Sequence, residues 1–185
     1  MTAERARQII DKAAEERVRF IEFIRGVPGD QWPNISPEGI WQARDYIAHL
    51  ASIDPLLTAW FRSLQSKEGG RAPARDFSID DWNAEQILER RETSLEDLLV
   101  EMERNRADLT DALAGFTDAQ LDATIHFGGD GKRAARDIPL FLYLSGWVFH
   151  DRWHTEDARR AIAGEAEQPF GDEAFARAAR ERSGS

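Results

Sequence analysis

Apolar residues recur at steps of three and four over four stretches of the chain, a pattern typical of helices that bury one face. The first stretch, residues 3–25, ends at a Gly-Val-Pro-Gly turn over residues 26–29. The second covers residues 40–64 and contains Pro55. Because proline removes one helical hydrogen bond, we expect a kink or a short break near Ser52.

The third stretch covers residues 83–116, and its apolar positions skip one expected core position. Between Met102 and Leu109 the spacing is seven residues, and the polar side chains of Asn105 and Arg106 occupy the gap. A polar residue there either faces the centre of the bundle or lies at its rim. The fourth stretch covers residues 138–163, and Gly164 ends it.

The connections between these stretches are long and irregular. Helical bundles usually have connections of about 2–8 residues, whereas residues 66–81 and 117–136 are longer. A long connection lets the chain cross the bundle instead of turning straight back. We therefore predict an all-α four-helix bundle with long crossover connections over residues 1–165. A short helix and tail are expected over residues 166–185, with the helix at 172–182.

Composition and charge exclude several classes of function. The 185 residues fit one domain, and the chain has no cysteine, so disulfides, thiolate metal sites and a cysteine nucleophile are excluded. The net charge of −10 disfavours binding to nucleic acid or to an anionic membrane. The longest apolar run, residues 138–149, is shorter than the roughly 20 residues of a membrane span. The charged N-terminus does not resemble a signal peptide, and we expect a cytoplasmic protein.

Three of the four histidines are candidate metal ligands. His150 and His154 are four residues apart on a predicted helix, so both imidazoles project from one face and can reach one ion. His49, in an apolar stretch where burial of a histidine is costly, is the natural third ligand. Asp45 and Asp157 lie about one turn from His49 and His154, and either can orient an imidazole.

Each histidine also has a plainer explanation. An H-x-x-x-H spacing arises by chance, a lone His49 can be a packed core residue, and His126 in a Gly-rich stretch is expected to be an exposed turn residue. A metalloprotease reading requires glutamate directly after the first histidine of the pair. Here that residue is Asp151, which makes a protease a weak hypothesis.

Two motifs together resemble those of a known family. Residues 41–50, WQARDYIAHL, are similar to the W-x-x-R-D-x-x-x-H-L motif of the DinB/YfiT-like superfamily, and residues 150–154, HDRWH, match its second motif. The Trp82-Asn83-Ala84 segment also resembles this family. The superfamily includes mycothiol-dependent maleylpyruvate isomerases and bacillithiol transferases. The resemblance implies a crossed four-helix bundle, a divalent metal held by His49, His150 and His154, and a homodimer.

The resemblance directs the functional expectation to a metal-dependent enzyme of the thiol-dependent transferase type. Zinc and nickel are the leading metals, with iron, manganese or copper as alternatives. A low-molecular-weight thiol would serve as cosubstrate because the chain has no sulfur nucleophile of its own. We expect a small-molecule pocket where the second and fourth helices meet, lined by Tyr143, Trp147 and Asn105 or Arg106.

Three alternatives stay open at this stage. The protein can bind a metal or a small molecule without catalysis, act as a metal-assisted hydrolase, or be a helical dimerisation protein with packed histidines. A basic patch of Lys132, Arg133 and Arg136 either steers an anionic substrate or is ordinary solvated charge.

Overall fold

A computed structural model describes residues 2–37, 39–66, 78–128 and 134–169, and it is predominantly helical, which confirms the predicted all-α class. The helices of the described residues are α1 (Glu4–Gly26), α2 (Ala43–Gln65), α3 (Ile79–Glu89), α4 (Leu95–Ala114), α5 (Asp118–Asp122), α6 (Leu140–Trp147) and α7 (His150–Ala163). The strands β1 (Thr124–Phe127) and β2 (Arg136–Pro139) form a small antiparallel hairpin. None of the described helices is both long and apolar enough to cross a membrane.

Four long elements form a bundle in which α1 lies diagonally opposite α2, and α4 lies diagonally opposite α7. α2 packs mainly against α4 and α7, and α1 packs against the same two helices. The order around the bundle is therefore α1, α4, α2, α7, so the connections from α1 to α2 and from α4 to α7 cross it. Fully buried aromatic and aliphatic side chains fill the centre, among them Phe20, Phe61, Met102 and Phe116.

α2 continues through Pro55, so the short break that was one of the two expected outcomes is absent, and the kink stays a prediction. Proline has no N–H, so the carbonyl of Ala51, four residues earlier, loses its helical donor. The side-chain amide of Asn105 on α4 replaces that donor, with its Nδ2 2.8 Å from the Ala51 oxygen. This bond explains why the third stretch skips an apolar position: Asn105 faces the bundle interior and is buried.

The third predicted helix is two helices, which corrects the expectation of one helix over residues 83–116. α3 ends at Glu89, and α4 begins at Leu95. Ser94 is the N-cap of α4, and its hydroxyl accepts a hydrogen bond from the Asp97 N–H at 3.1 Å. A serine N-cap starts a helix and does not continue one. α3 itself begins inside the predicted connection, after its N-cap Ser78.

The fourth predicted helix is also interrupted, because residues 136–139 form β2 and a two-residue break separates α6 from α7. In the hairpin, Ile125 pairs with Ile138 and His126 with Asp137. His126 is exposed as expected but lies in β1 and not in a turn; its Nδ1 is 2.8 Å from Asp137 Oδ1. The basic residues Lys132 and Arg133 and the predicted helix at 172–182 lie outside the described residues.

Two arginines and two aspartates form a buried charged network between the four long elements. Each element contributes one residue: Arg17 from α1, Asp54 from α2, Arg106 from α4 and Asp151 from α7. Arg17 Nε lies 2.6 Å from Asp151 Oδ2, and Arg106 Nε lies 2.8 Å from Asp54 Oδ2. Longer contacts of 3.3 Å (Arg106 to Asp151) and 3.4 Å (Arg17 to Asp54) close the network.

Opposite charges balance inside this network, which is what makes its burial tolerable. Burial alone would raise the pKa of the Asp151 carboxyl, but the adjacent Arg17 and Arg106 guanidinium groups outweigh it and lower that pKa below its ordinary value. Asp54 is completely buried and pairs with both arginines. Removing one member leaves an uncompensated charge in the core.

We predict that Asp54→Asn destabilises the fold by about 3–5 kcal/mol, because one buried carboxylate then no longer offsets the two arginines. The matched control is Asp122→Asn, which removes an exposed ion pair with Arg5 and should cost less than about 1 kcal/mol. Urea unfolding followed by circular dichroism measures both. Equal stability losses for the two variants would contradict a central role for the network.

Candidate metal centre

His49 of α2 and His150 and His154 of α7 converge at one point. The Nε2 atom of His150 lies 3.4 Å from Nε2 of His49 and 3.1 Å from Nε2 of His154. One ligand atom from each residue lies within 4.8 Å of the others. Tetrahedral zinc with bonds of about 2.0–2.1 Å requires nitrogens roughly 3.3 Å apart. The structure thus brings the three predicted ligands together, with two of the three nitrogen pairs at the spacing that a single ion needs.

Two of the imidazoles are held so that Nε2 is free to bind a metal. The Nδ1 atom of His49 is 3.1 Å from the side-chain oxygen of Asn83, and Nδ1 of His154 is 3.2 Å from Asp157 Oδ2. Because both partners are oxygens that accept, each Nδ1 carries the proton and each Nε2 presents a lone pair. Such outer partners are the usual companions of metal-binding histidines.

Burial keeps the imidazoles of His49 and His150 neutral. Burial lowers the pKa of His49 well below its ordinary value of 6.5, and the neighbouring His154 adds to the effect. Burial likewise lowers the pKa of His150, helped by His154, His49 and the positive charges of Arg106 and Arg17. Neutral imidazole is the form that binds a metal ion, so His49 and His150 need not lose a proton to bind one at neutral pH.

The donor set fits a divalent transition ion. Lone pairs that converge at 3.1–3.4 Å repel one another unless a proton or a cation lies between them. The buried Nδ1 of His150 has no hydrogen-bond partner among the described residues. His150 is therefore held by its packing and by what its Nε2 binds, rather than by an outer partner. His49, His150 and His154 would hold the ion through Nε2.

Aromatic rings form one wall of the centre. The Trp41 ring centroid is 5.3 Å from that of His49 and 6.3 Å from that of His154. The Tyr46 ring stacks on His154 at 5.6 Å, and it also packs against Trp41. These apolar faces keep bulk water from that side of the histidines, while His150 and His154 stay partly accessible.

Asp45 and Arg44 of the first motif stabilise the helices around the centre. Asp45 accepts a hydrogen bond from the Gln42 N–H at 2.8 Å and caps α2, and burial raises its pKa. The outer partner of His49 is thus Asn83, not the predicted Asp45, whereas Asp157 does contact His154 as predicted. Arg44 donates to the carbonyls of Arg90, Arg91 and Thr93, the break between α3 and α4.

The predicted pocket residues make contacts with other side chains and backbone groups of the bundle. Tyr143 packs edge-to-face on Trp60 with ring centroids 5.2 Å apart, and Trp147 packs on Phe61 and under the Arg106 guanidinium. Arg106 is part of the charged network, and Asn105 donates a hydrogen bond to the Ala51 carbonyl. A role for these four residues in binding a substrate stays a prediction.

Four residues of the centre were not assigned by the sequence: Trp41, Tyr46, Asn83 and Glu167. Trp41 and Asn83 stand inside the motifs that carried the family resemblance, so a signal for them existed. Glu167, whose Oε1 accepts a hydrogen bond from the Tyr46 hydroxyl at 3.0 Å, had no signal, because the turn that brings it to Tyr46 is not visible in the pattern.

We predict about one zinc or nickel ion per chain in protein loaded with excess metal and then desalted. His150→Ala and His154→Ala should each lose most of it, because two imidazoles hold an ion far less tightly than three. His126→Ala, which changes an exposed histidine of the hairpin, is the matched control and should keep full stoichiometry. Elemental analysis gives the count. Full metal content in both helix variants would exclude this site.

Comparison with known proteins agrees with the geometry. The family model of the DinB superfamily matches residues 12–158, a range that contains the three candidate metal ligands and every member of the charged network. Neither the curated proteins nor the solved structures contain a match. Because the family model covers most of the sequence, the chain belongs to the DinB superfamily.

Proposed function

We propose that this protein is a divalent-metal-dependent enzyme of the thiol-dependent transferase type. The observation that carries the proposal is the convergence of three imidazoles beside an aromatic wall. Imidazole ligands add no negative charge, so a bound divalent ion would keep its full charge and lower the pKa of a coordinated thiol or water. Zinc and nickel suit this donor set, and iron, manganese or copper are alternatives.

The residues of the chain would prepare and shield this chemistry. Asn83 and Asp157 fix the tautomers of His49 and His154, so that the lone pairs point at the ion. Trp41 and Tyr46 exclude bulk water from one side, which strengthens electrostatic interactions within the site. The sulfur nucleophile would come from a small thiol, because no cysteine exists in the sequence.

A metal-assisted hydrolase is the second candidate, and the positions of the carboxylates argue against it. One common route for hydrolysis at such a centre uses a free carboxylate as general base. Asp151, the residue between the two helix histidines, binds Arg17 and Arg106 through both of its oxygens. Asp157 holds His154, and Glu167 holds the Tyr46 hydroxyl. Each of these carboxylates is already engaged in a contact that supports the fold or the site.

A non-catalytic protein that binds metal or small molecules would share the same centre. Metal content does not separate it from the proposed enzyme, because both bind the ion. Binding of a thiol at the metal, followed by turnover with an electrophilic acceptor, separates them. A protein that binds both metal and thiol but never consumes the thiol would support the non-catalytic function.

We predict that cobalt-loaded protein gains a sulfur-to-metal charge-transfer band when it is titrated with a small thiol, and that thiol binding releases a proton. Several thiols should be tried, for example glutathione, cysteine and mercaptoethanol. The His49→Ala variant, loaded to the same cobalt content, controls for thiol bound to misplaced metal. If no thiol changes the spectrum or the metal affinity, the thiol-dependent function is wrong.

We also propose a homodimer, which follows from the family resemblance and the high aromatic content of the chain. Light scattering at micromolar concentration should report about twice the chain mass of 21.0 kDa. A particle of single-chain mass at all concentrations tested would contradict this proposal.

A further inference from the structure

The chain returns to the metal centre after α7 has ended. Gly164 ends α7 in the left-handed conformation with a φ of 68°, and the Glu165 N–H donates to the Arg160 carbonyl at 2.9 Å. Arg160 Nη1 also donates to the Ala166 carbonyl at 3.3 Å. These bonds turn residues 165–169, here called the return segment, back along α7. The family match ends before this segment, at residue 158.

Gln168 of the return segment holds the outer partner of His154. Its Nε2 donates to Asp157 Oδ1 at 3.2 Å, while the other oxygen of the same carboxylate accepts from His154 Nδ1 at 3.2 Å. Both oxygens of Asp157 are therefore engaged, which restricts the rotation of its carboxylate. A carboxylate that cannot rotate holds the imidazole in one orientation and one tautomer.

Glu167 holds the ring that stacks on His154. Its Oε1 accepts from the Tyr46 hydroxyl at 3.0 Å, and the Tyr46 ring lies 5.6 Å from the His154 ring, centroid to centroid. The carboxylate lies against the backbone at Gly39, where a Cβ atom would stand only 2.8 Å from Oε1. Glycine at this position lets the loop before α2 and the return segment come together.

We propose that Gln168 and Glu167 are positioning residues for the metal centre, which fix His154 from two sides through Asp157 and Tyr46. This inference deepens the proposed function and rests on the metal site described above. It assigns a role to a segment that follows the family's own motifs. Of the three histidines, His154 would be the one whose geometry depends on the return segment.

The first test measures zinc affinity in the full-length chain by competition with a chromogenic chelator. Loss of an outer partner of a metal-binding histidine weakens affinity about 10–100-fold. Gln168 contacts His154 only through Asp157. We therefore expect a smaller effect, with Gln168→Ala weakening zinc binding about three- to tenfold. Glu167→Ala should have a similar effect, and Glu167→Gln should retain the affinity because its amide oxygen still accepts from Tyr46.

A matched control lies in the same segment. Glu165→Gln changes an exposed glutamate whose nearest cation is Arg160 at 3.7 Å, and it should bind zinc as the wild type does. Thermal unfolding of the metal-free variants shows whether each one is folded. A merely structural role would lower the unfolding temperature and leave the zinc affinity of the folded protein unchanged.

The second test needs no metal. In metal-free protein, nitrogen chemical shifts of the His154 ring report which nitrogen carries the proton. We expect a single Nδ1-protonated tautomer in the wild type and a mixture in the Gln168→Ala/Glu167→Ala double variant. If the wild type binds no zinc, the proposed function fails while this readout still decides the inference. A double variant with wild-type zinc affinity and a single tautomer would overturn it.

Discussion

The bundle depends on the neutralisation of four buried charges. Arg17, Asp54, Arg106 and Asp151 come from four different elements, and each guanidinium contacts both carboxylates. An apolar core tolerates many arrangements of its helices, whereas a charged network is stable only when every member is present and aligned. The network therefore selects one arrangement of α1, α2, α4 and α7.

The metal centre is built on the same two helices that supply the carboxylates. α2 carries His49 and Asp54, and α7 carries His150, Asp151 and His154. When the arginines draw Asp54 and Asp151 together, they also bring the facing surfaces of α2 and α7 into register. Burial is the main cause that lowers the pKa of His150, and the same positive charges add to it. Fold and site are thus coupled through adjacent residues: the network that aligns the helices lies directly beside a candidate ligand.

The features that follow from local spacing could be predicted from the sequence. The pair His150 and His154 follows from one helical turn, and the contact from Asp157 to His154 follows from three residues on the same helix. Assigning His49 required the assumption that its helix packs against the helix of the pair, and the structure places His49 beside His150. The all-α class follows from the apolar periodicity, because steps of three and four dominate the chain.

The features that depend on distant contacts or on caps could not be read from periodicity. The break between α3 and α4 coincides with a polar stretch, since no apolar residue lies between Leu88 and Leu95. Ser94 with Asp97 three residues later is an N-terminal capping pattern, which apolar periodicity alone does not register. Asn83 reaches His49 from a different helix, and it replaces the nearer Asp45, whose carboxylate caps α2. The sequence left open whether Asn105 faces the interior or the rim, because the group it binds, the Ala51 carbonyl freed by Pro55, lies on another helix.

X-ray absorption spectroscopy of the zinc-loaded protein and of its His49→Ala variant tests the three-histidine centre most directly. We expect three imidazole nitrogens at about 2.0–2.1 Å from the zinc in the wild type and two in the variant. This comparison tests the contact between α2 and α7, because His49 lies on α2 and the other two histidines lie on α7. Two or fewer imidazoles in the wild type, or an unchanged spectrum in the variant, would contradict a three-histidine centre.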